Sequence, residues 1–286
     1  MKRINFSILL LLISVNVASQ SYIGFLTDNY SGVHGVISNP ASIADSRFKT
    51  DVNLIGASAF VGNDYYGVNV LDAIKNGYDF DEEANKSSSS NNNLGANFDI
   101  LGPSFMFNIN EKNSVAVFSR LRGFGNVNKV NGDSFDLLEE AEVENIVINE
   151  DDFYATFNSW AEVGVSYAGV LFNKGEHFVK GGLSLKYIQG IASSYAVGSD
   201  LFYEGDEITN DPIIDTEITA TGDVRYGASQ DDFEDDLENA NNSKGFGIDL
   251  GFVYEWRPNY NDYIKSNSEG EKSSLKNKNK YKAKFG

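Results

Sequence analysis

The chain has 286 residues, 27 glycines, four prolines, no cysteine and a formal net charge of −18. That length holds one large β domain or two small ones. The missing cysteine excludes disulfides, thiol nucleophiles and thiolate metal sites, and its absence at the cleavage site argues against an amino-terminal lipid anchor. The acidic excess argues against nucleic acid as a partner, because phosphates call for Lys and Arg opposite them.

Met1-Lys2-Arg3 is a basic start, Ile8 to Val17 is an apolar run broken only by Ser14 and Asn16, and Val17-Ala18-Ser19 offers small residues for cleavage. This is the build of a secretory signal peptide over residues 1–19, too short for a spanning helix. Residues 20–50 follow as an irregular segment with Gly24, Gly32, Gly35 and Pro40. Its most ordered part is Asn39-Pro40-Ala41. Pro40 biases Asn39 toward an extended backbone, and Asn39 or Ser42 is placed to cap a turn that starts at Pro40. Two readings stay open: a plug folded into a barrel, or a loop leading into the first strand.

From residue 51 to 286 the chain reads as β-structure. Strands are predicted at Asp51–Gly62, Asn97–Asn108, Ser114–Phe124, Phe157–Phe172, His177 to about Tyr203, Asp215–Gly227 and Gly245–Arg257, and Tyr281–Gly286 begins another. Gly102-Pro103 marks a bulge, because Pro cannot donate to a ladder. Glu111-Lys112-Asn113 and Asn173-Lys174-Gly175 are tight turns. Between the strands lie a short helix within Val70–Asp81, a Ser/Asn loop tip at Lys86–Asn93 and an acidic stretch at Asp133–Asp152, briefly helical around Asp136–Val143. An acidic loop at Glu204–Ile214, an acidic tract at Asp231–Asn242 and a polar stretch at Tyr260–Lys280 complete the connections.

Strand side chains alternate between two faces. Val163, Val165, Tyr167 and Leu171 oppose Glu162, Gly164, Ser166 and Ala168. Val179, Leu183, Leu185 and Tyr187 oppose Lys180, Gly182, Ser184 and Lys186. Phe246, Ile248, Leu250, Phe252, Tyr254 and Trp256 oppose Gly247, Asp249, Gly251 and Glu255. A soluble sandwich turns such apolar rows inward, whereas a membrane barrel turns them to lipid.

Three features favour the barrel. The rows run ~9–11 residues, the length of a tilted transmembrane strand. Tyr187, Tyr254 and Trp256 stand near row ends, where an aromatic girdle belongs. The polar face is dense in Gly, Ser and Ala, which suits an interior that holds a folded-in segment. The fold expected is therefore an all-β, antiparallel transmembrane β-barrel of about seven to eight strands with an amino-terminal plug-like segment.

On that reading Arg120, Arg122, Glu162, Lys180, Lys186, Asp249 and Glu255 face the lumen. They serve either as a selectivity lining or as a structural salt-bridge network. The mixed, nearly balanced signs favour the network.

No nucleophile elbow, P-loop or dinucleotide fingerprint is present. His34 and His177 stand far apart, so no metal site and no histidine triad are expected. Asp79-Phe80-Asp81-Glu82-Glu83 starts like a calcium loop, but Ala84 occupies the place of the turn glycine. No catalytic residue and no cofactor are implied.

Gly102-Pro103-Ser104-Phe105-Met106-Phe107, Arg120-Leu121-Arg122, Asn158 to Gly164, Lys180 to Gly190 and Asp249 to Pro258 resemble uncharacterised outer-membrane barrel proteins typical of Bacteroidetes. Some of those carry an OmpA-like domain at their carboxyl end. Asn39-Pro40-Ala41 is similar to the amino-terminal region of long-chain fatty-acid transporters. The resemblance implies a location in the outer membrane and assigns no activity. Relatives of this kind are longer, so the resemblance also implies a barrel that continues past Gly286; a complete eight-stranded barrel is the competing expectation. The function expected is an outer-membrane barrel of structural or passive-transport type. Its partners would be lipid, with a small solute or an envelope protein in addition. The alternative is a secreted or cell-surface soluble β-rich binding or adhesion module.

Overall fold

The computed structural model describes residues 22, 25–27, 30–73, 79, 83–134, 146–210, 213–229, 243–259 and 281–286. The signal peptide, the helix around Asp136–Val143, the tract Asp231–Asn242 and the stretch Tyr260–Lys280 lie outside the described residues. The strands are β1 (Thr50–Asn53), β2 (Gly56–Asn63), β3 (Tyr66–Gly67), β4 (Asn85–Lys86), β5 (Asn92–Leu101), β6 (Ser104–Asn108), β7 (Asn113–Val130), β8 (Ile146–Lys174), β9 (His177–Asn210), β10 (Ile213–Ala228), β11 (Lys244–Trp256) and β12 (Ala283–Phe285).

All but β3 and β4 join one antiparallel sheet. β1 pairs with β6 and β2 with β5, and both β5 and β6 pair with β7. The sheet continues β7–β8–β9–β11–β12, while β10 folds back on the far half of β9. Among the described residues the sheet is open: β1 and β2 form one edge and β12 the opposite one.

The Gly102-Pro103 break separates β5 from β6 and faces the Leu54-Ile55 break between β1 and β2. Pro103 has no N–H to give the ladder. The side chain of Asn53 repairs part of the gap by donating to the carbonyls of Leu101 and Gly102 at 3.1 and 2.9 Å.

The strands run further than the alternation predicts. Ile146–Glu150 pairs with Leu201–Gly205, and Ile213–Ile218 pairs with Gly205–Asn210. The expected acidic loop Glu204–Ile214 is therefore mostly hairpin, and the end of the expected acidic stretch Asp133–Asp152 is strand. Glu204–Asn210 carries a single large apolar residue, Ile208, and backbone pairing needs none, so hydrophobic periodicity does not report this strand. The described helix between β3 and β4 covers Val70–Ala73.

Residues 25–43 form three short 3-10 turns, Phe25–Thr27, Gly32–Ile37 and Pro40–Ile43. They lie on one face of the sheet, here called the inner face. The buried cluster joins Val33, Val36, Ile43 and Ala44 of this segment to Leu101, Met106, Ala116, Phe118 and Ala168 of the strands. Asp51 of β1 holds the segment by accepting from Val33 N at 2.8 Å. The other face carries the apolar rows uncovered: Val163, Val165 and Leu185 are about half exposed, Ile248 67% and Leu250 72%.

Candidate functional site

Directly paired residues of an antiparallel ladder share a face, so the inner face can be read row by row. Ser114, Ala168, Gly182 and Gly251 are successive partners across β7, β8, β9 and β11. They form a floor without bulk, and Asn39-Pro40-Ala41 rests on it. A Cβ on Gly182 would stand 2.5 Å from Ala41 N and from the Pro40 carbonyl carbon, and one on Gly251 would stand 2.8 Å from Pro40 Cδ. Only glycine lets the turn come this close. Asn39 is extended, accepts from Ala41 N at 3.0 Å as the cap of the turn, and donates from Nδ2 to the Phe252 carbonyl at 3.1 Å.

Next to this floor lies a compact charged group. Lys180, 4% exposed, donates from Nζ to the Ala44 carbonyl at 2.8 Å and lies 3.9 Å from Glu255 Oε1. Arg257 donates to Glu255 Oε2 through Nε at 3.0 Å and through Nη2 at 2.6 Å, and to Asp45 Oδ2 at 2.8 Å. Its guanidinium stacks 3.4 Å from the Phe178 ring centre. Two cations meet two carboxylates, and one carboxylate belongs to the amino-terminal segment.

A second charged group crosses the sheet toward its far end. Arg120 grips Asp99 through Nε at 2.8 Å and through Nη2. Arg122 lies 3.9 Å from Asp99 and 3.5 Å from Glu162. Lys186 lies 3.7 Å from Glu162 and 2.8 Å from Asp249. Trp160 Nε1 donates to Glu162 Oε1 at 2.7 Å. Three bases offset three acids, and the belt joins β5, β7, β8, β9 and β11.

The seven charged residues singled out from the sequence thus lie on the inner face in two groups: Lys180 and Glu255 in one, Arg120, Arg122, Glu162, Lys186 and Asp249 in the other. The sequence reading missed Asp99, Asp45 and Arg257, which complete the neutralisation. That Asp99 is the lone charge in the stretch Asn97–Asn108 was the available signal for it. No local pattern points to Asp45 or Arg257.

Past the belt no described residue of the amino-terminal segment packs on the inner face. Phe60, Asn97, Phe124, Asn158 and Ser193 are successive partners across β2, β5, β7, β8 and β9. Phe124 and Trp160 meet edge to face at 6.1 Å, and Arg122 lies 4.9 Å over the Trp160 ring.

On the opposite face Tyr187 packs edge to face with Phe246 at one end of the apolar rows. Tyr254 and Trp256 stand at the other end: Tyr254 OH pairs with His177 Nδ1 at 2.7 Å and Trp256 Nε1 donates to Glu176 at 2.9 Å. Among the described residues no group of three or more His, Cys, Asp or Glu is placed to hold a metal ion. No described helix is long and apolar enough to cross a membrane, which says nothing of strands.

No curated protein and no solved structure matches this chain. A family of unknown function, DUF5723, matches residues 40–266, which takes in Asn39's neighbours Pro40 and Ala41, both charged groups and the strands β1 to β11. The chain belongs to that family.

Proposed function

We propose that this chain is the wall and plug of an outer-membrane β-barrel of structural or passive-transport type, without catalysis. The observation that carries the reading is the division of labour between the two faces of one sheet. Lys180, Glu162 and Glu255 are almost fully buried beneath or beside the amino-terminal segment, while Phe246, Ile248, Leu250 and Phe252 stand bare on the other side. An apolar row of this extent on a protein surface calls for a partner that is itself apolar.

The dimensions agree with hydrocarbon as that partner. From Phe246 to Trp256 the strand advances ten residues, roughly 34 Å at ~3.4 Å each. At a tilt of ~40° this is roughly 26 Å of height, against an apolar band of ~25 Å in barrels of this kind. The reverse orientation would put Lys180 and Lys186 in lipid at ~2–4 kcal/mol each near the midplane. The two neutral charged groups then act as register pins and as clasps for the plug, in place of a selectivity lining.

The two tryptophans provide the test, because Trp160 lies on the inner face and Trp256 on the outer. The full chain is reconstituted in liposomes that contain brominated phospholipid, as Trp160→Phe and Trp256→Phe variants. Trp256 is expected to be strongly quenched and Trp160 weakly. A chain that stays monodisperse without detergent, with neither tryptophan quenched, would establish the secreted soluble module instead.

A further inference from the structure

We propose that the uncovered part of the inner face, past the charged belt, binds a neutral oligosaccharide. The described residues of the amino-terminal segment reach along the inner face only up to the belt. Beyond it, aromatic rings and amides alternate along one cross-strand row: Phe60, Asn97, Phe124, Asn158 and Ser193. The neighbouring rows add Trp160 on one side and Thr156 and Tyr195 on the other. Phe60, Phe124 and Tyr195 are 39%, 42% and 52% exposed, although they point away from the apolar outer face. Rings in this position are not needed for lipid contact, and they do not join the buried cluster.

The polar groups between the rings are set to donate. Asn126 Oδ1 accepts from Thr156 Oγ1 at 3.1 Å and Asn158 Oδ1 accepts from Ser193 Oγ at 2.8 Å. Each carbonyl oxygen is thereby engaged, and among the described residues neither amide nitrogen has a hydrogen-bond partner, which leaves both for a ligand. Asn97 makes no side-chain hydrogen bond among the described residues. Flat ring faces for the C–H surface of a sugar, with amide donors between them for its hydroxyls, are the few well-placed polar groups in an aromatic lining that a specific site requires. Five strands at ~4.8 Å spacing make the row roughly 19 Å long, room for several sugar rings in line.

Charge narrows the class. The described strand ends and turns at this end of the sheet are acidic: residues 131–134, 146–159, 190–210 and 213–229 together hold eleven acids and one base, Arg225. Anions are repelled on approach. At the floor Arg122, 37% exposed over Trp160, opposes cations. The belt as a whole carries no net charge. The ligand that fits is uncharged. This inference does not depend on what medium meets the opposite face.

The test uses the full chain in detergent with Trp256→Phe as background, so that Trp160 is the only fluorophore of its kind. Maltohexaose, cellohexaose, mannohexaose and chitohexaose are titrated, with hexagalacturonate and the glucosamine hexamer as charged counterparts. At least one neutral hexasaccharide is expected to give a saturable change, and the charged ones to bind at least tenfold more weakly. Phe124→Ala is expected to weaken binding at least tenfold. Asn97→Ala, which removes no side-chain hydrogen bond among the described residues, is expected to weaken it severalfold with the circular dichroism unchanged. No saturable response to any neutral hexasaccharide at millimolar concentration, or equal binding by the Asn97→Ala and Phe124→Ala variants, would overturn the proposal.

Discussion

Adding a single methyl group at Gly182 should lift the amino-terminal segment off the sheet. The new Cβ would lie 2.5 Å from backbone atoms of Pro40 and Ala41, which cannot swing aside as a side chain would. Ordinary contact between such atoms begins near 3.5 Å, so the turn must rise by about 1 Å. A gap of that size forfeits a quarter to a half of the dispersion energy along its lining. It also strains two bonds that hold the segment, Asn39 Nδ2 to the Phe252 carbonyl and Lys180 Nζ to the Ala44 carbonyl. Overpacking of this kind costs ~1–3 kcal/mol, and a loss of about 2 kcal/mol is roughly a thirtyfold rise in the lifted population. Because the chain has no cysteine, Ser31→Cys supplies a single thiol at a position only 5% exposed. Its labelling by a water-soluble maleimide should accelerate about thirtyfold when Gly182→Ala is added. Gly95→Ala is the control, since a Cβ there meets nothing within 4 Å. Labelling that stays within twofold of the parent in the Gly182→Ala variant would refute the close seating of the segment on the glycine pair.

Removing the Asp99 carboxylate with Asp99→Ala leaves Arg120 buried without its grip and Arg122 with Glu162 alone, a loss of ~3–5 kcal/mol for breaking a buried pair; urea unfolding should show it as a lowered midpoint, and a midpoint shift near zero would count against the belt as a pinned network. Burial between Tyr22 and Phe25 pushes the His34 imidazole below its usual range, with Asp51 opposing that shift. The unfolded chain therefore binds this proton more readily than the folded one. The contribution of His34 is fully present above about pH 6.5 and is lost as pH falls from there through the depressed folded value. Melting temperature should drop across that window in the parent chain and drop less in His34→Gln; equal slopes in both would remove His34 as the cause.

The strands with one apolar and one small or charged face were legible, because a half-buried strand produces a period of two over Val163 to Leu171, Val179 to Tyr187 and Phe246 to Trp256, and a helix does not. The distal hairpin around Glu204 and Ile214 was not, because Glu204–Asn210 holds one large apolar residue, Ile208, and so writes no two-residue period. Asn39 as a cap was readable from Asn-Pro, since the side chain acts within two residues of its own position. The seat of that turn was not, because Gly182 and Gly251 look like any other strand glycines until Pro40 is placed on them.

Local chemistry alone determined that this chain forms an antiparallel sheet with one greasy side and one side of small and charged residues. Those properties follow from side-chain size, charge and a two-residue repeat, all of which are written along the chain. Tertiary pairing decided the rest: that Asp99 neutralises Arg120, that Asp45 reaches Arg257 over more than two hundred residues of sequence, and that rings and amides from five strands share one row. Each of these depends on which residues stand opposite one another across the ladder, and register is set by the simultaneous fit of all strands, not by any one of them.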